Sequence, residues 1–268
     1  LVEGTDSTAE KGRDGPPYDA LKPLLVAVCT YNERDNLPEL VTRIFAAVPT
    51  ADLLVVDDNS PDQTGQWAIE ASRGDPRIRV LSRTERGLGG AIRAALQYAV
   101  ERGYEYLVNL DGDLSHAPEA IPDLVRLIAS DPGLDVAVGS RYCPGGRIEG
   151  WPRRRRWMSR LVNRFAVKKL NLPVSDCSGS LRCYRVATLA AIRPDTLESD
   201  GYSILEEILV RIDRSGGKMA EVPIVFTDRT RGQSKLSMAE AYRSAKHLVR
   251  LAKRYQYPGN DNGKASIE

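Results

Sequence analysis

Short apolar runs that alternate with helical patterns constrain this chain more than any other feature. Residues 24–29, 53–56, 78–81, 106–110 and 136–138 read as strands, and 37–48, 63–72, 88–102 and 118–130 as the helices between them. Alternation at this spacing implies an α/β domain whose mostly parallel sheet is covered by helices on both faces. In such sheets ligands bind beyond the carboxyl ends of the strands. The 268 residues are enough for a sizeable core. One domain is expected over 21–257, after a disordered lead-in (1–20, rich in Gly, Pro, Asp and Glu) and before a disordered tail (258–268). Beyond Gly139 the rhythm breaks. A basic segment, a helix over 205–215, a strand over 222–226 and a helix over 238–255 follow, the last with Ser237 and Glu240 at capping-box spacing.

Charge and cysteine content narrow the function classes. The chain carries 38 Lys and Arg against 36 Asp and Glu, a net +2. A general nucleic-acid binder would carry a strong basic excess, so no nucleic-acid partner is expected. His116 and His247 cannot make a His-rich metal site, and Cys29, Cys143, Cys177 and Cys183 form no C-x-x-C pair. That points away from a zinc ribbon or disulfide framework and toward a reducing compartment. No run approaches the roughly 20 apolar residues of a transmembrane helix, and none reads as a signal peptide. The expected location is cytoplasmic, with at most a peripheral hold on the cytoplasmic face of a membrane.

Two acidic clusters fall at strand ends. Val56-Asp57-Asp58-Asn59 and Leu110-Asp111-Gly112-Asp113 each put carboxylates directly after an apolar run, on the ligand side of the sheet. An Asp after a strand also serves as a turn former or helix N-cap. Two such clusters on one sheet favour a metal–nucleotide site, because the carboxylates would otherwise repel one another. Asp111 and Asp113, separated by Gly112, can turn toward one hard cation, Mg2+ or Mn2+. Cys29-Thr30-Tyr31-Asn32-Glu33 ends the first strand, where a Tyr can stack on a base or simply sit half-buried. Gly87-Leu88-Gly89-Gly90 opens a helix but has Ile92 where a dinucleotide fingerprint needs glycine, and no P-loop occurs. These glycines permit close packing or a phosphate at a helix N-terminus.

Together these pieces resemble glycosyltransferase family 2, in particular its dolichyl- and polyprenyl-phosphate mannosyltransferases. In order they are Thr30-Tyr31-Asn32-Glu33, Val56 to Asp62, Asp111 to His116, Gly139-Ser140-Arg141-Tyr142, Asp176 to Arg182, Gly201-Tyr202 with Glu207, Val222 to Arg229, and Gly232 to Ser237. The resemblance runs over about 24–251 and implies a GT-A (Rossmann-like) fold, a nucleotide-sugar donor such as GDP-mannose, a polyprenyl- or dolichyl-phosphate acceptor, and Mg2+ or Mn2+. It implies that Thr30, Tyr31, Glu33, Val56 and Asp58 line the nucleoside pocket. Asp111 and Asp113 would hold the metal, with the Gly112 backbone near ribose or diphosphate. Arg141, Arg229 and Lys235 would meet phosphate or sugar at the reacting centre, so that Asp113, Arg141, Arg229 and Lys235 carry catalysis. Cys29 stands where members often have Pro, and Ser115 where some have Gln, so Ser115 or a water completes the metal shell. Glu207 is a candidate to orient a cation or touch sugar hydroxyls, or else a helix-surface charge.

A monophosphate acceptor needs no general base, because its second pKa is about 6. The expected reaction is an inverting attack of lipid phosphate on the anomeric carbon, with cations of the loop Arg229, Arg231 and Lys235 holding two anions together. The segment 151–170 reads as a basic amphipathic membrane or acceptor helix. Trp157, Met158, Leu161, Val162, Phe165 and Ala166 form one stripe, flanked by Arg156, Arg160, Arg164 and Lys168. The same periodicity suits a helix packed on the core. The basic final helix could share that surface, and a membrane-anchoring partner subunit is a further expectation. Alternatives are transfer from UDP-glucose, a hydroxyl acceptor, and a catalytically silent peripheral membrane protein.

Overall fold

The structure, a computed structural model, describes residues 23–228 and 250–255. Its main sheet contains β1 (Leu24–Thr30), β2 (Asp52–Asp57), β3 (Ile78–Ser82), β4 (Tyr106–Asp111), β5 (Leu134–Ser140), β7 (Arg182–Arg185) and β8 (Lys218–Pro223). The order is β3-β2-β1-β4-β7-β5-β8, parallel throughout except for β7, which runs antiparallel to both of its neighbours. A second sheet pairs β6 (Arg147–Glu149) with β9 (Val225–Thr227). The helices are α1 (Leu37–Ala47), α2 (Thr64–Gly74), α3 (Leu88–Glu101), α4 (Ile121–Ser130), α5 (Arg153–Leu170), α6 (Val186–Ile192) and α7 (Ser203–Arg214).

Strand alternation explains why the domain has two cores. On β1, Leu25 and Ala27 point into a core with α3, α5, α6 and α7, while Leu24, Val26 and Val28 point into one with α1, α2 and α4. The helices match. On α1, Leu37, Leu40, Val41 and Ile44 are buried at helical spacing, and a proline starts the first turn. Burying a large aliphatic side chain stabilises the fold by about 1.5–3 kcal/mol, so the sheet is held from both sides.

The five expected strands and the first four helices occur within a few residues of their predicted bounds, with 118–130 divided into a 3-10 turn at Pro118–Ala120 and α4. The strand expected over 222–226 is instead two strands. β8 ends at Pro223, which has no N–H to continue a ladder, and Ile224 hands the chain over by bonding Ser140 O from its N–H and accepting from Arg147 N–H. β9 then pairs with β6. Strands β6 and β7 and helix α6 were not foreseen. β7 reads Arg-Cys-Tyr-Arg, a pattern too charged to look like a buried strand, yet Arg182 is fully buried.

Helix α5 starts at Arg153, directly after Pro152, and its stripe divides in two. Trp157, Met158, Leu161, Val162 and Phe165 are 49–64% exposed. Ala166, expected among them, turns inward with Asn163 and Leu170 because it lies on the neighbouring arc of the helix. No helix among the described residues is long and apolar enough to cross a membrane. Residues 1–20, the tail, and most of the helix expected over 238–255 lie outside the described residues; Leu251 and Ala252, within it, are buried against the α3/α7 core.

Candidate active site

The order β2-β1-β4 sets the carboxyl ends of three strands side by side, with Thr30 in register with Asp57 and Cys29 with Asp111. The two acidic clusters and the Thr30–Glu33 loop therefore meet at one sheet edge. Gly112 lets them close up. A Cβ there would stand 3.2 Å from Glu33 Cγ and 3.3 Å from Thr30 Cγ2, tighter than side chains normally allow.

The first cluster is largely committed within the protein. Asp57 accepts from the Thr30 hydroxyl (3.0 Å), the Ser60 hydroxyl (2.6 Å) and the Ser60 amide (3.0 Å), so it is the turn former of this edge. Asp58 pairs with Arg83 and accepts from the Gly87 amide at 2.7 Å, which pins the loop before α3. Val56 is fully buried in the core, leaving only its backbone to face a ligand. The Arg86 guanidinium lies 3.7 Å from the centre of the half-buried Tyr31 ring, so a flat cation covers the face on which a base would stack. Glu33 accepts from the Asn36 amide group at 2.7 Å, and its carbonyl accepts from the N–H groups that start α1. The glycines of α3 resolve as packing positions. A Cβ on Gly89 would sit 2.7 Å from Ser199 O.

In the second cluster, Asp113 is buried and Asp111 is about a quarter exposed. Leu114 adopts a left-handed backbone (φ 62°), rare for a branched side chain, and this turns the chain back on the carboxylates. Ser115 then donates to Asp113 Oδ1 from both its amide (3.0 Å) and its hydroxyl (2.5 Å). Its hydroxyl is thus engaged in orienting Asp113. His116 is buried with Nδ1 3.7 Å from Asp111 Oδ2, and its ring meets Phe226 edge-on at 5.0 Å. Burial holds this imidazole below its usual pKa, against the pull of Asp111.

Arg141, at the end of β5, is 7% exposed and donates from Nε (2.7 Å) and Nη2 (2.8 Å) to Asp176, with a further bond from Nη2 to Ser178 Oγ at 2.8 Å. Burial alone would raise the Asp176 carboxyl, but the Arg141 charge and hydrogen bonds prevail and hold it below the usual range. Much of the Arg141 fork is therefore spent tying the β5 end to the 176–178 loop. Glu207 is buried too. Its carboxylate accepts from the Ser199 amide (2.7 Å), the Glu198 amide (3.1 Å) and Arg211 (2.7 Å), so it braces the loop against Gly89 and is no surface charge. Ser199 also folds in from this loop, a contact that no local motif announced. Arg229, Arg231 and Lys235 lie outside the described residues.

The model of Glycosyl transferase family 2 matches residues 25–193. The chain belongs to that family. Within glycosyltransferase family 2, it is 41% identical over 215 residues to an undecaprenyl-phosphate mannosyltransferase of Micrococcus luteus, covering 80% of this chain and 87% of that one. It is 42% identical over 229 residues to a polyprenol monophosphomannose synthase of Mycolicibacterium smegmatis, covering 84% and 85%. Its fold is the GT-A fold, shared with solved glycosyltransferase structures. A Pyrobaculum calidifontis mannosyltransferase in complex with GDP-Man and Mn2+ superimposes with a TM-score of 0.62 at 22% identity, over 93% of this chain and 69% of that one.

As a cation site the edge offers oxygen donors only, the two carboxylates of Asp111 and Asp113. Among the described residues no cluster of three or more His, Cys, Asp or Glu could enclose an ion. Such a pair suits a hard cation that arrives with phosphates and keeps part of its water, and does not suit a structural metal held by protein alone.

Proposed function

We propose that this glycosyltransferase moves mannose from GDP-mannose to a polyprenyl or dolichyl monophosphate, with inversion, at a membrane surface. The observation that carries this reading is the convergence of the Thr30–Glu33 loop, Asp58 and the Asp111-Gly112-Asp113 turn at one sheet edge, in a chain over 40% identical to proteins named for mannosyl transfer to polyprenyl phosphates. Tyr31, Glu33 and the backbone at Val56 would take the nucleoside, with Thr30 and Asp58 holding the walls. Asp111 and Asp113 would hold Mg2+ or Mn2+, with Gly112 giving the diphosphate close access to the backbone. When bound, the cation neutralises the departing diphosphate as a Lewis acid. The acceptor phosphate is largely dianionic near neutral pH and attacks without a base. Cations are the scarcer need, and Arg229, Lys235 and Arg141 are proposed to supply them.

Helix α5 supports the membrane part. Five large apolar side chains stand exposed between arginines, the arrangement of a helix lying in the headgroup layer with its cations toward anionic lipid. Attack by a lipid phosphate brings acceptor and helix to the same surface.

Product analysis tests the reading. The protein, Mn2+ and a short polyprenyl phosphate are incubated with GDP-mannose or with UDP-glucose. Mannolipid from GDP-mannose is expected, with Asp113→Ala slower by about 100-fold or more. Glucolipid alone would move the donor assignment to UDP-glucose, and no product from either donor would overturn the reading.

A further inference from the structure

Beyond the paired aspartates, the next turn carries two side chains that the reaction as proposed does not use. Ser115 donates its hydroxyl to Asp113 at 2.5 Å. His116 follows, and it is unusual in the described molecule: the side chain is 1% exposed, yet neither ring nitrogen has a hydrogen-bond partner. Leaving a buried polar group unpaired is costly, and such a group is explained where it acquires a partner in use.

The surroundings identify that partner. Nδ1 faces Asp111 Oδ2 at 3.7 Å, just beyond hydrogen-bond range, and Asp111 is the more exposed of the two acids. The ring itself has little freedom. Phe226 packs edge-on against it, His116 and Phe226 form a backbone bridge, and the Thr227 amide donates to Ser115 O at 3.0 Å. A carboxylate swing of about 1 Å closes the gap, whereas the imidazole is held in place.

We propose that His116 is a positioning residue for the metal site: its Nδ1–H fixes Asp111 in the orientation that receives the divalent cation, as Ser115 fixes Asp113. The run Asp111 to His116 then carries both carboxylates and the donor that orients each of them, the left-handed Leu114 folding the second pair back over the first. Outer donors of this kind commonly change metal affinity by about 10- to 100-fold. The inference rests on the cation reading above, and the experiment separates the two.

Mn2+ binding is followed by electron paramagnetic resonance on the full chain with GDP present, for the wild type and for His116→Phe, His116→Asn and His116→Gln. The Asn amide nitrogen stands where Nδ1 does, whereas that of Gln reaches toward the Nε2 position. Expected is tight Mn2+ binding by the wild type, loss of about tenfold or more in His116→Phe and His116→Gln, and recovery to within about threefold in His116→Asn. If the Phe variant does not fold, the Asn and Gln pair decides alone. Wild-type affinity in the Gln variant, or affinity in the Asn variant as weak as in Gln, would overturn the role of Nδ1. A wild type that takes up no Mn2+ with GDP would overturn the cation reading, and this inference with it.

Discussion

The two faces of α5 are made of different chemistry and answer to different neighbours. Outward stand Trp157, Met158, Leu161, Val162 and Phe165 among arginines, each about half exposed or more. Inward, Ala166 and Leu170 join the core, and polar bonds tie the helix to the neighbouring loops. Asn163 donates to Ser175 O at 2.5 Å and accepts from the Cys177 amide at 3.1 Å, and Ser159 Oγ bonds the Tyr142 hydroxyl at 2.7 Å. These bonds lead directly to Asp176 and Arg141. A helix that turns its larger apolar residues away from the core and its amide toward it reverses the usual order of burial. The contrast teaches that the seat of α5 fixes the end of β5, while its outer stripe stays exposed.

Three variants sharpen that contrast. The largest expected effect is on the outer face. Trp157→Gln with Phe165→Gln should lower partitioning onto anionic vesicles by about 10- to 100-fold while the thermal midpoint stays within error, read by vesicle sedimentation and calorimetry. A large fall in the midpoint instead would mean that the stripe is packed against protein. Next, Asn163→Ala leaves the buried Ser175 carbonyl and Cys177 amide without partners and should cost about 1–3 kcal/mol in denaturant unfolding, with vesicle binding retained by the folded fraction. The last effect, confined to a window of pH, concerns Glu206 on α7, which acts electrostatically on Cys177 beneath this seat. Burial pushes its carboxyl from 4.5 up to about 7. The folded state therefore keeps a proton that the unfolded chain releases, and the stability this lends declines as pH rises between those values. Glu206→Gln should raise the thermal midpoint at pH 8 relative to the wild type, with the difference vanishing near pH 4.

Where periodicity governs, the fold was readable. The centres of β1 and β2 are uninterrupted apolar runs, β4 is broken only by Asn109 before its acidic end, and α1 repeats its buried positions at helical spacing, so these elements follow from burial alone. β7 was unreadable because Arg182 is buried by partners outside its own strand, donating to Cys177 O and to the distant Leu205 O at 2.6 Å each. The break at Ile224 depends on register with Ser140 and Arg147, which no local pattern encodes. The site divides in the same way. The carboxylates at the strand ends were legible because the sheet edge is where ligands go. What each carboxylate binds was not: Asp57, Asp58 and Glu207 look like equally open acids until their amide and guanidinium partners fold in. Arg141 likewise reads as a cation for phosphate, and only the fold shows Asp176 beneath it.

The antiparallel β7 has a consequence for how the chain is made. It lies between β4 and β5 in the sheet but follows both in sequence, so the two halves cannot join until residues 182–185 have left the ribosome. Until then β4 keeps a bare edge of apolar residues, the kind that recruits strands from other chains. Its closure waits on a late four-residue strand that carries a buried arginine. Slowed synthesis or truncation before Arg185 should therefore yield aggregates, whereas a stop after Ile192 leaves every strand of the main sheet except β8 in place.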